Sequence, residues 1–243
     1  MISLKNLTIV ESLAELDRIP RGKTLINTIN AHSYNTALTD SLFAEALQKG
    51  DYLIPDGISI VKACRWLKAK SRPKERIAGW DLFKLEMDKL GQSGGKCFFM
   101  GSSEAVLQKI RENAAVKYPS VIVETYSPPY KPVFSEEDNS LIIKAINSFN
   151  PDLLWIGMTA PKQEKWLHDN WPRLEIQCHA GAIGAVFDFF AGTLQRAPEN
   201  WQKAGLEWLY RFIKEPRRMW RRNLISNPIF VWLVLLEKLG FRR

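Results

Sequence analysis

A chain of 243 residues with 46% hydrophobic and 25% charged side chains is long enough to build a well-packed domain, and this composition excludes an intrinsically disordered protein. Its three widely spaced cysteines form no CxxC pair, which argues against a disulfide framework and against a structural zinc site. The formal net charge is +8, and most of the excess lies in residues 201–243, which hold ten Lys or Arg against three acids. This asymmetry indicates that the C-terminal part meets an anionic partner.

The sequence pattern predicts neither a signal peptide nor a membrane span. The opening residues, MISLKNLTIV, lack the basic region and long apolar run of a signal peptide. The longest apolar run, residues 228–236, is about half of the roughly 18–20 residues that span a bilayer. We therefore expect a cytoplasmic protein that can lie on a membrane surface.

Strand-like and helix-like patterns alternate through the first 190 or so residues. Strands are predicted at residues 24–29, 52–54, 96–100, 121–125, 153–156 and 176–179. Helices are predicted at residues 38–48, 59–70, 81–90, 104–117 and 136–149, and from Lys162 onward. Such alternation is typical of an α/β fold with a mostly parallel sheet and helices on both faces.

Ligands of such folds bind at the carboxyl ends of the strands, in the loops that lead to the next helix. The loops expected at this edge are residues 27–35, 55–57, 101–103, 157–163 and 180–188. Asp56, in a Pro-Asp-Gly sequence, is suited to act as a general base there, although the same sequence also makes an ordinary turn. Thr28 and Asn30 point to the same side of the first strand, and either bind a sugar hydroxyl or cap the following helix.

Two further loops carry candidate substrate contacts. Gly101 opens a strand-to-helix turn whose N–H groups suit a phosphate or a nucleotide ribose, but such a turn needs no ligand. Gln163 lies in the loop of residues 157–164, and its amide offers both a donor and an acceptor to a uracil or sugar edge. No Asp-x-Asp sequence is present, and the three histidines lack metal-ligand spacing, so we expect no metal.

The basic C-terminal part supplies cations that can replace a metal. Residues 201–212 read as a helix and Pro216 as the start of another, so Arg211, Arg218 and Arg222 share a face if the helical phase continues. The apolar residues 229–241, flanked by basic side chains, are typical of a helix in a lipid interface. The alternative is a terminal helix packed on the core.

An ordered set of motifs resembles the WecG/TagA/CpsF family of bacterial glycosyltransferases. The matching stretches are NTIN (27–30), PDG (55–57), RIAGWDL (76–82), GMTAPKQE (157–164), GAVFDFFAG (184–192), RAP (196–198) and GLEWLYRFIKEP (205–216). The resemblance implies a Rossmann-like catalytic domain in residues 1–195 and a membrane-associating helical appendage in residues 196–243.

The activity that the resemblance implies is transfer of a sugar from a UDP-sugar, of the ManNAc, ManNAcA or glucose type, to a polyprenyl-diphosphate-linked saccharide. The reaction would proceed with inversion, without metal or cofactor, at the inner face of the bacterial plasma membrane, in surface polysaccharide or teichoic acid synthesis. An assembly of identical subunits is compatible with the sequence. A basic nucleic-acid- or lipid-binding protein without catalysis is the rival interpretation.

The resemblance also implies residue roles. Asp56 matches the family's base. Thr28, Asn30, Arg76 and Gln163 match substrate contacts. Arg211 matches an appendage arginine that reaches the active site, and Arg218 together with Arg221 or Arg222 would follow it.

Overall fold

A six-stranded parallel sheet forms the centre of the protein in the computed structural model, which describes residues 2–203, 205–220 and 224–241. The strands are β1 (Thr24–Ile29), β2 (Tyr52–Pro55), β3 (Gly95–Gly101), β4 (Val121–Tyr126), β5 (Leu153–Gly157) and β6 (His179–Ala182). They lie in the order β2-β1-β6-β5-β3-β4, and every strand pair is parallel. The predicted Rossmann-like α/β fold is thereby confirmed.

Helices connect the strands and continue beyond the last of them. They are α1 (Leu13–Asp17), α2 (Ala31–Thr39), α3 (Ser41–Lys49), α4 (Ile58–Leu67), α5 (Gly79–Ser93), α6 (Glu104–Lys117), α7 (Glu136–Phe149), α8 (Lys162–Asn170), α9 (Val186–Phe190), α10 (Glu199–Lys203), α11 (Glu207–Lys214), α12 (Pro216–Trp220) and α13 (Ser226–Lys238). The C-terminal helical appendage that the sequence predicts is thus present.

Helices cover both faces of the sheet, and successive side chains of a strand point to opposite faces. In β3, Cys97 and Phe99 pack into a core with α5, α6 and α9, whereas Phe98 and Met100 pack with α7 and α8. A third core joins α2, α3 and α4 to the N-terminal residues and to α13.

The crevice of the sheet opens between β3 and β5. The chain leaves β3 toward β4 on one side and leaves β5 toward β6 on the other, so the following helices diverge. Gly101 and Gly157 face each other at this point, and a Cβ on Gly101, whose φ is +121°, would lie 2.5 Å from the carbonyl oxygen of Gly157. Glycine at position 101 therefore allows two strand ends to meet where the ligand crevice begins.

Two sequence predictions near β1 need correction. Residues 27–35 are not a loop, because Asn30 ends the strand and at once starts α2 with a reciprocal capping box to Ser33. The predicted helix 38–48 is two helices, since Asp40 is extended (φ −122°, ψ 97°) and its side chain caps α3 at the N–H of Phe43.

The last strand also lies later than predicted. Residues 176–179 were expected to form it, but β6 begins at His179, which pairs with Thr24 and Leu153. Ile176 and Cys178 are buried against α7 and α8, so their hydrophobicity reflects side-chain packing before the strand rather than the strand itself.

The C-terminal part is more interrupted than its periodicity predicts. The expected helix 201–212 is broken near Gly205, which has a φ of +72°, and the helical phase stops again at Glu215 before Pro216. Arg211 therefore shares no continuous helical face with the residues after Pro216. Arg221, Arg222 and the side chain of Arg218 lie outside the described residues.

Helix α13 packs on the core through one face. Phe230 and Val234 are buried, and the ring of Tyr34 meets that of Phe230 edge-on at a centroid distance of 5.6 Å. The carboxylate of Glu237 accepts hydrogen bonds from Ser3 Oγ, the N–H of Lys5 and the Tyr34 hydroxyl. The alternative of a terminal helix packed on the core is thus borne out for this face.

The opposite face of α13 is apolar and exposed. Ile229, Val231 and Trp232 are 44%, 65% and 59% exposed, and Leu239 and Phe241 continue this surface. In the described ranges, no helix has both the length and the apolar character that a membrane span requires. The boundary between a domain of residues 1–195 and an appendage of residues 196–243 stays a prediction.

Candidate active site

A cavity of about 1110 Å³ lies at the carboxyl ends of the strands. Its walls come from β1, the turn after β2, the loops after β3, β4, β5 and β6, and the C-terminal helices α11 and α13. Of the residues predicted to contact substrate, it is lined by Thr28, Asn30, Asp56, Arg76, Gln163 and Arg211. The topology therefore brings together side chains that are up to 183 positions apart in the sequence.

Asp56 lies at one end of this cavity beside the end of β1. Its backbone N–H donates to the carbonyl oxygen of Ile29 (2.9 Å), which fixes the turn after β2 against β1. A Cβ on Gly57 would lie 3.5 Å from the Cβ of Asn30, so the two strand ends meet closely. Asn30 caps α2 by accepting from the N–H groups of His32 and Ser33, so its predicted capping role is confirmed while it also lines the cavity.

Arg76 reaches the same end from the segment before α5. The N–H of Ile77 donates to the carbonyl oxygen of Pro55 (3.0 Å), and this bond carries Arg76 alongside the Asp56 turn. The Arg76 Nη2 atom lies 3.7 Å from Asp56 Oδ1 and 2.7 Å from Glu207 Oε2. Burial disfavours the charge, but the nearby carboxylates of Asp56 and Glu207 outweigh it and raise the pKa of Arg76 above its ordinary value.

Two more arginines approach from the C-terminal part of the chain. The guanidinium carbon of Arg196 lies 5.4 Å from the ring centroid of Trp80 and 6.0 Å from that of Phe189. The guanidinium carbon of Arg211 lies 5.7 Å from the Phe189 ring as well. Cation–π contacts of this kind hold guanidinium groups in place, and both arginines line the cavity.

The loops after β5 and β6 are joined by Gln163. Its Oε1 accepts from the N–H groups of Met158 (3.2 Å) and Gly184 (3.1 Å), and its Nε2 donates to Glu164 Oε1 (2.9 Å). The amide oxygen is therefore engaged within the protein. Contact between Gln163 and a uracil or sugar edge stays a prediction.

Glu164 lies beneath this wall of the cavity and is 2% exposed. Burial raises its pKa to about 7, and the hydrogen bond from Gln163 only partly offsets that effect. A carboxyl group with such a pKa is largely protonated below neutral pH.

The wall opposite β1 is a Pro-rich loop, residues 127–134. The Lys162 ammonium donates to the carbonyl oxygen of Lys131 and lies 3.6 Å from the ring centroid of Phe134. Ser127 Oγ donates to the carbonyl oxygen of Ser102, which ties this loop to the turn after β3. Ser102 and Ser103 line the cavity, whereas Gly101 is buried beneath them and supports the turn through its backbone.

Sequence reasoning missed several of these residues as parts of the site. Arg196, Glu207 and Glu164 all fall within motifs quoted above, RAP, GLEWLYRFIKEP and GMTAPKQE, but no local pattern assigned them a role. Among the residues that the structure describes, no three His, Cys, Asp or Glu side chains are grouped so that they could hold a metal ion.

An open parallel α/β sheet with a cavity at the strand ends is the arrangement of a Rossmann-like protein, and a carboxylate set among arginines there is suited to an enzyme that binds an anionic substrate. The chain belongs to the WecG/TagA/CpsF family of glycosyl transferases, whose model matches residues 1–243. It is therefore a glycosyltransferase, as the sequence motifs predict.

Two relatives are similar to this chain along most of its length. A protein of Bacillus subtilis (strain 168) is 30% identical over 88% of this chain and 80% of its own length. A protein of Staphylococcus aureus (strain MW2) is 28% identical over the same shares. Both are named N-acetylglucosaminyldiphosphoundecaprenol N-acetyl-beta-D-mannosaminyltransferase.

Proposed function

We propose that this protein transfers a sugar from a UDP-sugar to a saccharide linked to a polyprenyl diphosphate, with inversion and without a metal ion. Among the donor types that the sequence leaves open, N-acetylmannosamine has the support of the relatives' names, which specify an N-acetylmannosaminyl group and an N-acetylglucosaminyl-diphosphoundecaprenol acceptor. The product would serve the synthesis of a bacterial surface polysaccharide or teichoic acid.

The observation that carries the proposal is the placement of Asp56 and Arg76 at one end of the cavity, 3.7 Å apart. A general base must accept a proton while a cation nearby stabilises the departing anion. Asp56 supplies the carboxylate, and Arg76, Arg196 and Arg211 supply positive charge along the adjoining wall.

The reaction is a single displacement at the anomeric carbon. Asp56 takes the proton of the acceptor hydroxyl, whose oxygen forms a bond to that carbon as its bond to the diphosphate oxygen breaks. UDP leaves with the electron pair. Guanidinium groups match phosphate oxygens in geometry and charge, so the arginines can stabilise UDP without a bound metal.

The exposed apolar face of α13 supports a peripheral membrane location. Val231 and Trp232 lie on this face, and Val231 also lines the cavity. A lipid-linked acceptor enters from the bilayer, so an apolar surface at the cavity rim would bring enzyme and acceptor together. We therefore place the protein at the inner face of the bacterial plasma membrane.

The test is acceptor-dependent UDP release by the full-length protein in EDTA. The donors are UDP-ManNAc, UDP-ManNAcA and UDP-glucose, and the acceptor is GlcNAc on a short-chain polyprenyl diphosphate. We expect release from one donor and a loss of about 100-fold or more in Asp56→Asn, because that amide cannot accept the proton.

The matched control is Asp169→Asn, at an exposed aspartate on α8 outside the cavity, and it should leave turnover unchanged. Normal turnover by Asp56→Asn would refute the role of the base. A strict need for added Mg²⁺ or Mn²⁺ would refute metal independence.

A further inference from the structure

The C-terminal appendage contributes a carboxylate to the arginine cluster, and this carboxylate comes from Glu207 in the first turn of α11. Its Oε2 atom lies 2.7 Å from Arg76 Nη2 and 3.5 Å from Arg196 Nη2. Glu207 thereby connects a residue that precedes α5 with one that follows α9. The three side chains are 12–22% exposed, so water screens their interaction only partly.

Glu207 does not take the place that an anionic ligand would occupy in the cavity. Its Oε2 atom, which faces both guanidinium groups, is fully buried. A ligand in the cavity therefore does not compete for that oxygen. Each guanidinium group has five N–H donors, so donors remain after Glu207 is bound.

Glu207 also sets the distance between Arg76 and the proposed base. Arg76 lies between two carboxylates, and its contact with Glu207 is 1.0 Å shorter than its contact with Asp56. The closer carboxylate dominates the position of the cation, since Coulomb attraction falls with distance. Without Glu207, Arg76 would be drawn to Asp56, and Arg196 would lose its ion pair while it keeps its aromatic contacts with Trp80 and Phe189.

We propose that Glu207 is a positioning residue that holds Arg76 and Arg196 at the wall of the cavity, so that both meet the diphosphate of the donor. The inference rests on the proposed function, because it takes a UDP-sugar as the donor. It makes α11 a structural part of the diphosphate site. The appendage then contributes to donor binding through an acid as well as through Arg211.

The test is the affinity of the full-length protein for UDP and for uridine, measured by calorimetry in wild type and in Glu207→Gln. We expect UDP affinity to fall about tenfold or more in the variant, because well-placed charge-assisted hydrogen bonds to phosphate are lost. Uridine affinity should stay the same, since uridine has no phosphate. Removing a negative charge beside an anionic ligand would by itself strengthen binding, so a fall in UDP affinity at unchanged uridine affinity points to displaced arginines.

The matched control is Glu237→Gln, which changes another buried carboxylate of the appendage that contacts Ser3, Lys5 and Tyr34 but no arginine of the cluster. This variant should bind UDP like wild type. As a second test, Glu207→Gln should weaken UDP binding less in an Arg196→Ala background than in wild type, because only the displacement of Arg76 remains.

The possible results distinguish a wrong role for Glu207 from a wrong donor. Equal or tighter UDP binding by Glu207→Gln would overturn the inference alone, and so would an equal loss of uridine binding. If wild type bound no UDP, both the proposed donor and the role of Glu207 would be overturned. A selective loss of UDP affinity would support both.

Discussion

The buried carboxyl group of Glu164 should make the stability of the protein depend on pH. Its carboxyl group is 2% exposed below the wall of the cavity, and burial raises its pKa from an ordinary 4.5 to about 7. In the unfolded chain the same carboxyl group is in water and loses its proton near pH 4.5. The folded protein therefore binds a proton that the unfolded chain has already released between these two pH values.

This difference in proton binding makes the free energy of unfolding change with pH. Because the folded state holds the proton more tightly, the free energy of unfolding falls as the pH rises from about 4.5 to about 7, and levels off above that range. A pKa shift of this size corresponds to roughly 3 kcal/mol in total, most of which falls between pH 5 and pH 8. Glu164→Gln has no proton to lose, so its stability should lack this component.

Urea unfolding at pH 5 and pH 8 measures the effect. The decrease in free energy of unfolding between the two pH values should be about 2 to 3 kcal/mol smaller in Glu164→Gln than in wild type. Other titrating groups, including the buried pair of His179 and Glu86, are present in both proteins and cancel in the comparison. The same pH dependence in both proteins would refute the view that Glu164 is a buried, protonated acid.

Three further predictions concern the fold and the membrane surface. Gly157→Ala should destabilise the protein by about 1–3 kcal/mol in thermal unfolding, because the added Cβ would lie 2.5 Å from the Phe187 ring. An unchanged Tm would show that this contact relaxes freely. Glu237→Gln should cost about 1–3 kcal/mol in chemical unfolding, since at least one buried hydrogen bond of α13 is lost, and wild-type stability would show that these bonds add nothing. The double variant Val231→Ser and Trp232→Ser should have an affinity for anionic phospholipid vesicles that is lower by about tenfold or more in co-sedimentation, because two exposed apolar side chains are removed. Unchanged binding would contradict a docking role for α13.

The sheet can be predicted well from the sequence because each strand and helix has its own local residue pattern. Strand-like runs separated by helical periodicity imply parallel pairing, and polar residues after each strand then fall at the same edge. Thr28, Asn30, Asp56 and Gln163 all line the cavity for this reason. The first helix after β1 was missed because its capping residues, Asn30 and Ser33, resemble a polar loop until their reciprocal hydrogen bonds are seen.

Contacts between distant segments could not be predicted in the same way. No periodicity indicates that Glu207 meets Arg76, which lies 131 positions earlier, because the contact depends on how α11 packs over the strand ends. The hydrogen bonds of Gln163 with Met158 and Gly184 could not be predicted either, since they depend on β5 and β6 being neighbours in the sheet, which no local pattern indicates. Tertiary packing decides these pairings.

The C-terminal part shows why a charge count is an incomplete guide to function. Its excess of basic residues suggests one basic surface, yet α11 directs Glu207 and Arg211 into the cavity. Helix α13 instead buries Phe230 and Val234 while Val231 and Trp232 are exposed. The basic C-terminal part therefore presents two different surfaces, one that lines the cavity through α11 and one that is apolar and exposed on α13.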